Sequence, residues 1–253
     1  MQFRALAAAA ALAVTAVAAP VNAQENDAPK DTTKGVYVSV GVGGNWASSP
    51  TWSFADSGTY AGYSFTENNN GTVDLGGGIS VSPALGYDFG NNIRAELSYT
   101  YNAASIGQST ANASGTFGSS SWTANGTINS TGTVSTNSVL VSGYYDIPTK
   151  SKFTPYVGAG IGWTGVSVPA QNVAATVTVD GTSYTLPVEG DGGSGSAFGY
   201  QAKIGVSYLV AKEADVFVEG VYQGNTSVTI ARSTYGSIND FGVRAGVRYR
   251  FGK

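Results

Sequence analysis

Beyond residue 34 the chain alternates apolar and polar residues with a period of two. Residues 73–89 place Val73, Leu75, Gly77, Ile79, Val81, Pro83, Leu85, Tyr87 and Phe89 on one face, and Asp74, Gly76, Gly78, Ser80, Ser82, Ala84, Gly86 and Asp88 on the other. Residues 93–103 set Ile93, Ala95, Leu97, Tyr99 and Tyr101 against Arg94, Glu96, Ser98, Thr100 and Asn102. Residues 241–251 set Phe241, Val243, Ala245, Val247, Tyr249 and Phe251 against Gly242, Arg244, Gly246, Arg248 and Arg250. Successive side chains of a strand point to opposite faces, so each run predicts a strand with one apolar side. These runs exceed the roughly five or six residues of an ordinary strand. They match the roughly nine to eleven that a tilted strand needs to cross a bilayer. Weaker alternations over residues 36–42, 139–147, 153–163, 198–210 and 216–222 complete a set of eight.

The connections set the expected topology. Those at residues 90–92, 148–152 and 211–215 are short; those at 43–72, 104–138, 164–197 and 223–240 are long and rich in Gly, Ser, Thr and Asn. Eight strands with both ends in the periplasm need three short turns and four outer loops. The prediction is an all-β fold: a transmembrane antiparallel up-and-down β-barrel of eight strands with four long extracellular loops. Ten or twelve spanning strands stay open; two loops carry hairpin signals of their own, read as strands extended above the bilayer. One is residues 173–179, Asp180-Gly181 and 182–188; a weaker one surrounds Ala124-Asn125-Gly126.

Aromatic residues support this reading. Tyr87, Phe89, Tyr145, Phe153, Tyr208, Tyr249 and Phe251 fall at the predicted periplasmic ends, and Tyr99, Tyr101, Trp163, Phe198, Tyr200, Tyr222 and Phe241 at the outer ends. Membrane barrels gather such rings at both interfaces. A soluble sandwich would need apolar residues on the second face, where this chain has Gly, Ser and charges.

Residues 1–23 stand apart. Arg4 precedes an apolar run at 5–19, then Pro20 and the small-residue pattern Val21-Asn22-Ala23. This predicts a signal peptide cleaved between Ala23 and Gln24. The run is too short and Ala-rich for a comfortable membrane anchor. Residues 24–34 read as a flexible periplasmic leader, and 35–253 as the barrel.

Composition narrows the chemistry. Charged residues are 11 % and the net charge is −3, with no His and no Cys. Disulfide scaffolds, thiolate or imidazole metal sites and imidazole-based hydrolases are excluded. No cofactor, metal or catalytic residue is expected. An acidic chain has no electrostatic footprint for nucleic acid. Gly158-Ala159-Gly160-Ile161-Gly162 lacks the following helix of a nucleotide loop and reads as small residues on a curved strand.

The inward charges are the candidate site. Arg94, Glu96, Lys203, Glu219, Arg244, Arg248 and Arg250 share the lumenal face with Asp74, Asp88 and Asp146. A narrow barrel is filled by side chains, and buried charges must pair. Two readings follow: a paired plug, or the gate of a narrow porin-like channel, which the many inward glycines would favour by leaving open volume. The long loops hold Trp46, Trp52, Phe54, Tyr60, Phe117, Trp122 and Tyr184 and almost no Lys or Arg. They are expected to engage a host or cell-surface protein or glycan, or to shield the surface, with the barrel as a scaffold for adhesion or envelope integrity.

Residues 82–101 (SPALGYDFGNNIRAELSYTY), 153–162 (FTPYVGAGIG) and 198–210 (FGYQAKIGVSYLV) resemble the bacterial surface-antigen β-barrel family, which includes the major surface proteins of rickettsia-like bacteria. OmpA-, OmpX- and Opa-like small barrels are similar in layout. The end GVRYRF resembles the terminal strand read by the outer-membrane barrel assembly machinery, through Gly246, Tyr249 and Phe251; Gly252 and Lys253 extend beyond that pattern. The resemblance implies a bacterial outer-membrane protein embedded in lipid, with roles as antigen, adhesin or porin.

Overall fold

Lipid offers a backbone no hydrogen-bond partner, so strands that cross it must pair on both edges. The computed structural model describes residues 34–179, 182–190 and 192–251. Its strands, in chain order, are β1 (Gly35–Ala47), β2 (Thr51–Tyr60), β3 (Tyr63–Thr72), β4 (Leu75–Asp88), β5 (Ile93–Ile106), β6 (Gln108–Phe117), β7 (Ser120–Asn129), β8 (Thr133–Asp146), β9 (Phe153–Val168), β10 (Gln171–Val179), β11 (Thr182–Gly190), β12 (Gly193–Ala211), β13 (Ala214–Asn225), β14 (Val228–Ile230), β15 (Ser233–Tyr235) and β16 (Asn239–Arg250). Eight of them close into an antiparallel barrel ordered β1-β16-β13-β12-β9-β8-β5-β4. The closing pair, β1 with β16, runs from Tyr37↔Arg250 to Ala47↔Asp240. The segment expected to be a signal peptide, its expected Ala23–Gln24 cleavage point and most of the expected leader lie outside the described residues.

The outer wall is apolar. Val38, Val40, Leu85, Leu97, Val141, Ile161, Val218 and Val247 face outward, and Ile204 is 67 % exposed. In water such a surface would be an aggregation liability; here acyl chains cover it. At the short-turn end Tyr87 lies 5.1 Å from Phe89, Phe153 4.7 Å from Tyr208, and Tyr249 5.1 Å from Phe251. Tyr200 and Tyr222, 6.4 Å apart, belong to the opposite girdle. Trp46 joins that girdle rather than a loop, because β1 extends to Ala47 and pairs Trp46 with Phe241. One tight turn, between β4 and β5, bends through Gly90 at φ 77° and Asn92 at φ 66°.

The alternation shifts at two irregularities, one between Leu209 and Ala211 at the end of β12 and one that moves a predicted residue. A register shift between Leu75 and Gly78 inserts extra chain at the start of β4. A bulge of this kind changes the face of every residue on its far side. Leu75 is therefore buried and Asp74 exposed, the reverse of the expected placement. Asp74 leaves the lumenal set and accepts a hydrogen bond from Ser49 Oγ at 2.9 Å.

The long connections are the larger difference. They form one eight-stranded sheet, ordered β11-β10-β7-β6-β3-β2-β15-β14. Each hairpin continues a barrel hairpin upward, so the sheet is a crown that follows the wall and stays open between β11 and β14. The hairpin of 173–188 is present as β10 and β11, with its turn residues 180 and 181 outside the described set. Ala124-Asn125-Gly126 does not turn; it lies inside β7. The chain reverses instead between Phe117 and Ser120, at Gly118 with φ 59°. Both crown edges are blunt: β14 has three residues and β11 carries Pro187, which has no N–H to offer.

Candidate functional site

Inside the barrel, Arg94, Glu96, Lys203, Glu219, Arg244 and Arg248 all lie on the inner wall and are buried. Arg94, fully buried, donates from Nε and Nη2 to both oxygens of Asp146, at 2.8 and 2.9 Å. Its Nη1 donates to the Tyr37 hydroxyl at 3.2 Å, and its guanidinium carbon lies 4.6 Å from the Tyr144 ring centre. Tyr37 and Tyr144 both donate to Glu96, at 3.2 and 2.8 Å. Lys203 Nζ donates to the Tyr144 hydroxyl at 2.9 Å and stands 3.7 Å from Glu96 and 3.4 Å from Glu219. Tyr156 donates to Glu219 at 2.9 Å. Arg244 lies 4.0 Å from Glu219 and donates from Nε to Ser80 at 2.8 Å. Arg248 pairs with Asp215 at 3.2 Å; Arg250 also pairs with Asp215 and lies 4.0 Å from Asp88.

Among the described residues, five lumenal cations (Arg94, Lys203, Arg244, Arg248, Arg250) form ion pairs with five carboxylates (Asp88, Glu96, Asp146, Asp215, Glu219), and a sixth buried carboxylate, Asp240, accepts a hydrogen bond from Asn45 instead. Such partners are required, since each unpaired buried ion costs several kcal/mol, roughly, in lost hydration. Asp215 was absent from the sequence-derived set, although alternation from Val216 points it inward.

The lumenal glycines do not leave open volume. Four of them sit directly across from an inward ring: Gly86 from Tyr37, Gly158 from Tyr144, Gly205 from Tyr156, and Gly246 from Phe217. A Cβ at those positions would stand 2.1, 2.3, 2.5 and 2.4 Å from the opposing ring. Each ring thus occupies the space over a glycine of the neighbouring strand. The cavity left among Glu96, Tyr144, Lys203, Glu219 and Arg248 is about 10 Å³, roughly the space for one water. Above the charges lies a polar belt, in which Asn45 donates to Asp240 at 3.0 Å and Gln223 to Ser138 at 3.0 Å. An apolar layer of Leu75, Ala104, Val134, Val166, Val228, Ile230 and Ile238 then closes the outer mouth. Val228 and Ile230 come from the fourth hairpin, which folds inward over the bore.

The crown has two unlike faces. Directly paired residues share a face, so the registers assign each one. The outer face carries Thr51, Ser53, Ser57, Thr59, Ser64, Thr66, Asn68, Asn70, Thr72, Thr110, Asn112, Ser114, Thr116, Thr123, Asn125 and Thr127, with Ala55 as the exception. Threonine hydroxyls join neighbouring strands at Thr66–Thr116 and Thr72–Thr110, both 2.8 Å. The inner face is continuous with the lumen: Tyr235 packs on the apolar layer and pairs with Trp52. It carries Trp52, Phe54, Tyr60, Tyr63, Phe65, Phe117 and Trp122. Three of these rings repeat the lumenal device. Trp52 pairs with Gly71, Phe65 with Gly58, and Trp122 with Gly115. A Cβ at those glycines would lie 2.7, 2.9 and 2.8 Å from the respective ring. Between the rings, Asp56 pairs with Glu67, and Asn69 Nδ2 donates to Glu67 Oε1 at 2.7 Å. Phe65 and Tyr63 were missed in the sequence because nothing local marks which loop residues face inward. Gly246 faces the lumen under Phe217, whereas Tyr249 and Phe251 face lipid.

Residues 12–251 match the family model described as surface antigen. A comparison with curated proteins found no match. Among solved structures, the chain is similar to Neisserial surface protein A (20 % identity, 85 % of this chain and 97 % of that chain, TM-score 0.47). It is also similar to Ail, the attachment invasion locus protein of Yersinia pestis (13 %, 85 % and 99 %, 0.37). A third is the outer membrane protein OprG from Pseudomonas aeruginosa (12 %, 87 % and 98 %, 0.42).

Proposed function

The chain belongs to the surface antigen family of bacterial outer-membrane barrels, and from that premise we propose that its barrel is an anchor that holds the crown outside the cell as a recognition surface. One observation carries the reading. The four outer connections, free to be separate loops, pair into a single sheet above a bore that side chains fill. A scaffold that orders its loops limits the entropy that a partner must remove on binding. The filled bore and its apolar lid weigh against the alternative of a narrow channel for small solutes.

The test is adhesion. Cells of an outer-membrane bacterium displaying the full chain are compared with cells displaying a variant whose four crown hairpins are replaced by tight turns. The full chain is expected to raise attachment to cultured host cells or to coated surfaces, and the trimmed barrel to lose the gain at equal surface density. Equal attachment by both would overturn the proposal.

A further inference from the structure

We infer that the inner wall of the crown binds a neutral glycan, an inference that rests on the recognition role proposed above and names its ligand class. Three rings lie on this wall over glycine, at Trp52/Gly71, Phe65/Gly58 and Trp122/Gly115. In the lumen the same pairing buries the ring. In the crown Trp122 stays 38 % exposed and Phe65 partly open, so flat faces look into solvent. A flat π face carries partial negative charge and suits the C–H face of a sugar ring.

The polar groups between the rings select the rest of the ligand. Asp56, Glu67 and Asn69 lie in the rows between Trp52 and Phe65. Carboxylates accept strong, charge-assisted hydrogen bonds from hydroxyl groups. The same carboxylates repel an anionic ligand, and the cation nearest them, Arg232, sits 4.0 Å from Asp56 at the exposed rim. An alkyl chain would strip water from both carboxylates without returning a hydrogen bond. A neutral chain of hydroxyl-bearing rings satisfies both parts of the wall. Phe65 and Gly71 lie six positions apart on β3, roughly 20 Å of strand. The platforms therefore suit an oligosaccharide rather than a single sugar.

The test uses the full-length protein in a sugar-free detergent, applied to an array of neutral, sialylated and sulfated glycans. A fluorescent fatty acid serves as the alkyl probe. Capture of one or more neutral oligosaccharides is expected, followed by saturable quenching of tryptophan fluorescence on titration with the captured sugar. Trp122→Ala and Phe65→Ala should each weaken that binding at least tenfold, and Glu67→Gln several-fold. Gly58→Ala, which lifts the Phe65 ring without removing it, should weaken it several-fold too. Thr123→Ala, on the outer face, should leave it unchanged. Every variant is first shown to be a folded barrel by its gel mobility without heating. Capture of no neutral glycan overturns the inference, as does capture confined to anionic glycans, or binding of the fatty acid alone. So does wild-type affinity in folded Trp122→Ala. Crown-dependent adhesion with an empty array removes the glycan and leaves the recognition role standing; sugar binding without adhesion does the opposite.

Discussion

Glu219 shows what a single residue carries in this bore. It faces Lys203 at 3.4 Å, Arg244 at 4.0 Å and the Tyr156 hydroxyl at 2.9 Å. Glu219→Ala would leave two buried cations short of a counter-charge, and breaking a buried pair in this way costs about 3–5 kcal/mol. The expected result is a lower urea midpoint for the barrel refolded in vesicles, with Thr66→Ala on the crown within about 0.5 kcal/mol of wild type. The ring-over-glycine pairs give a second test. Gly86→Ala puts a Cβ 2.1 Å from the Tyr37 ring, an overpacking that costs about 1–3 kcal/mol. Removing the ring in the double variant with Tyr37→Ala should recover part of that loss. A double-mutant cycle with no coupling would show that the two positions do not meet. The charges were legible in the sequence, because alternation alone sends Arg94, Glu96 and Glu219 to one face. The glycine partners were not, since Gly86 and Tyr37 are 49 residues apart in number and meet only through the register of β1 with β4.

Each crown hairpin is a continuation of two barrel strands, so its stability is shared with its neighbours. The β6–β7 hairpin pairs with β3 on one side and β10 on the other. Deleting residues 108–129 should leave the barrel folded, because none of them belongs to it. It should also divide the crown and expose the remaining hairpins to protease. The expected readout is faster cleavage within residues 51–72 with an intact barrel fragment; an unchanged cleavage rate would mean that the hairpins stand alone. A wider deletion, of residues 106–136, would cut into β8 and remove Val134 from the apolar layer. The barrel strands were readable because one face is uniformly apolar over many residues. The crown strands were mostly read as loop. Their inner face mixes rings with Gly, Ala and Asn, and their outer face is Ser, Thr and Asn, so period-two contrast is weak.

At the scale of the whole molecule, lipid wets the outer wall, paired charges fill the lower bore and an apolar layer closes the upper mouth. Planar bilayers containing the pure protein should show no discrete conductance steps under conditions where a known porin conducts. Regular steps from the wild-type chain would replace the anchor reading with a channel.

The sequence by itself determined the class of the fold, the eight spanning strands and the inward placement of most of the charges. Each of these follows from contrast between adjacent residues along one strand, and a membrane demands that contrast of every strand it covers. Only the tertiary structure decided that the glycines seat rings instead of opening a pore, that a bulge at Leu75 turns Asp74 outward, and that four loops form one crown. Those outcomes depend on which residue stands opposite which across neighbouring strands. Register is a property of the closed sheet, and no single stretch of chain contains it.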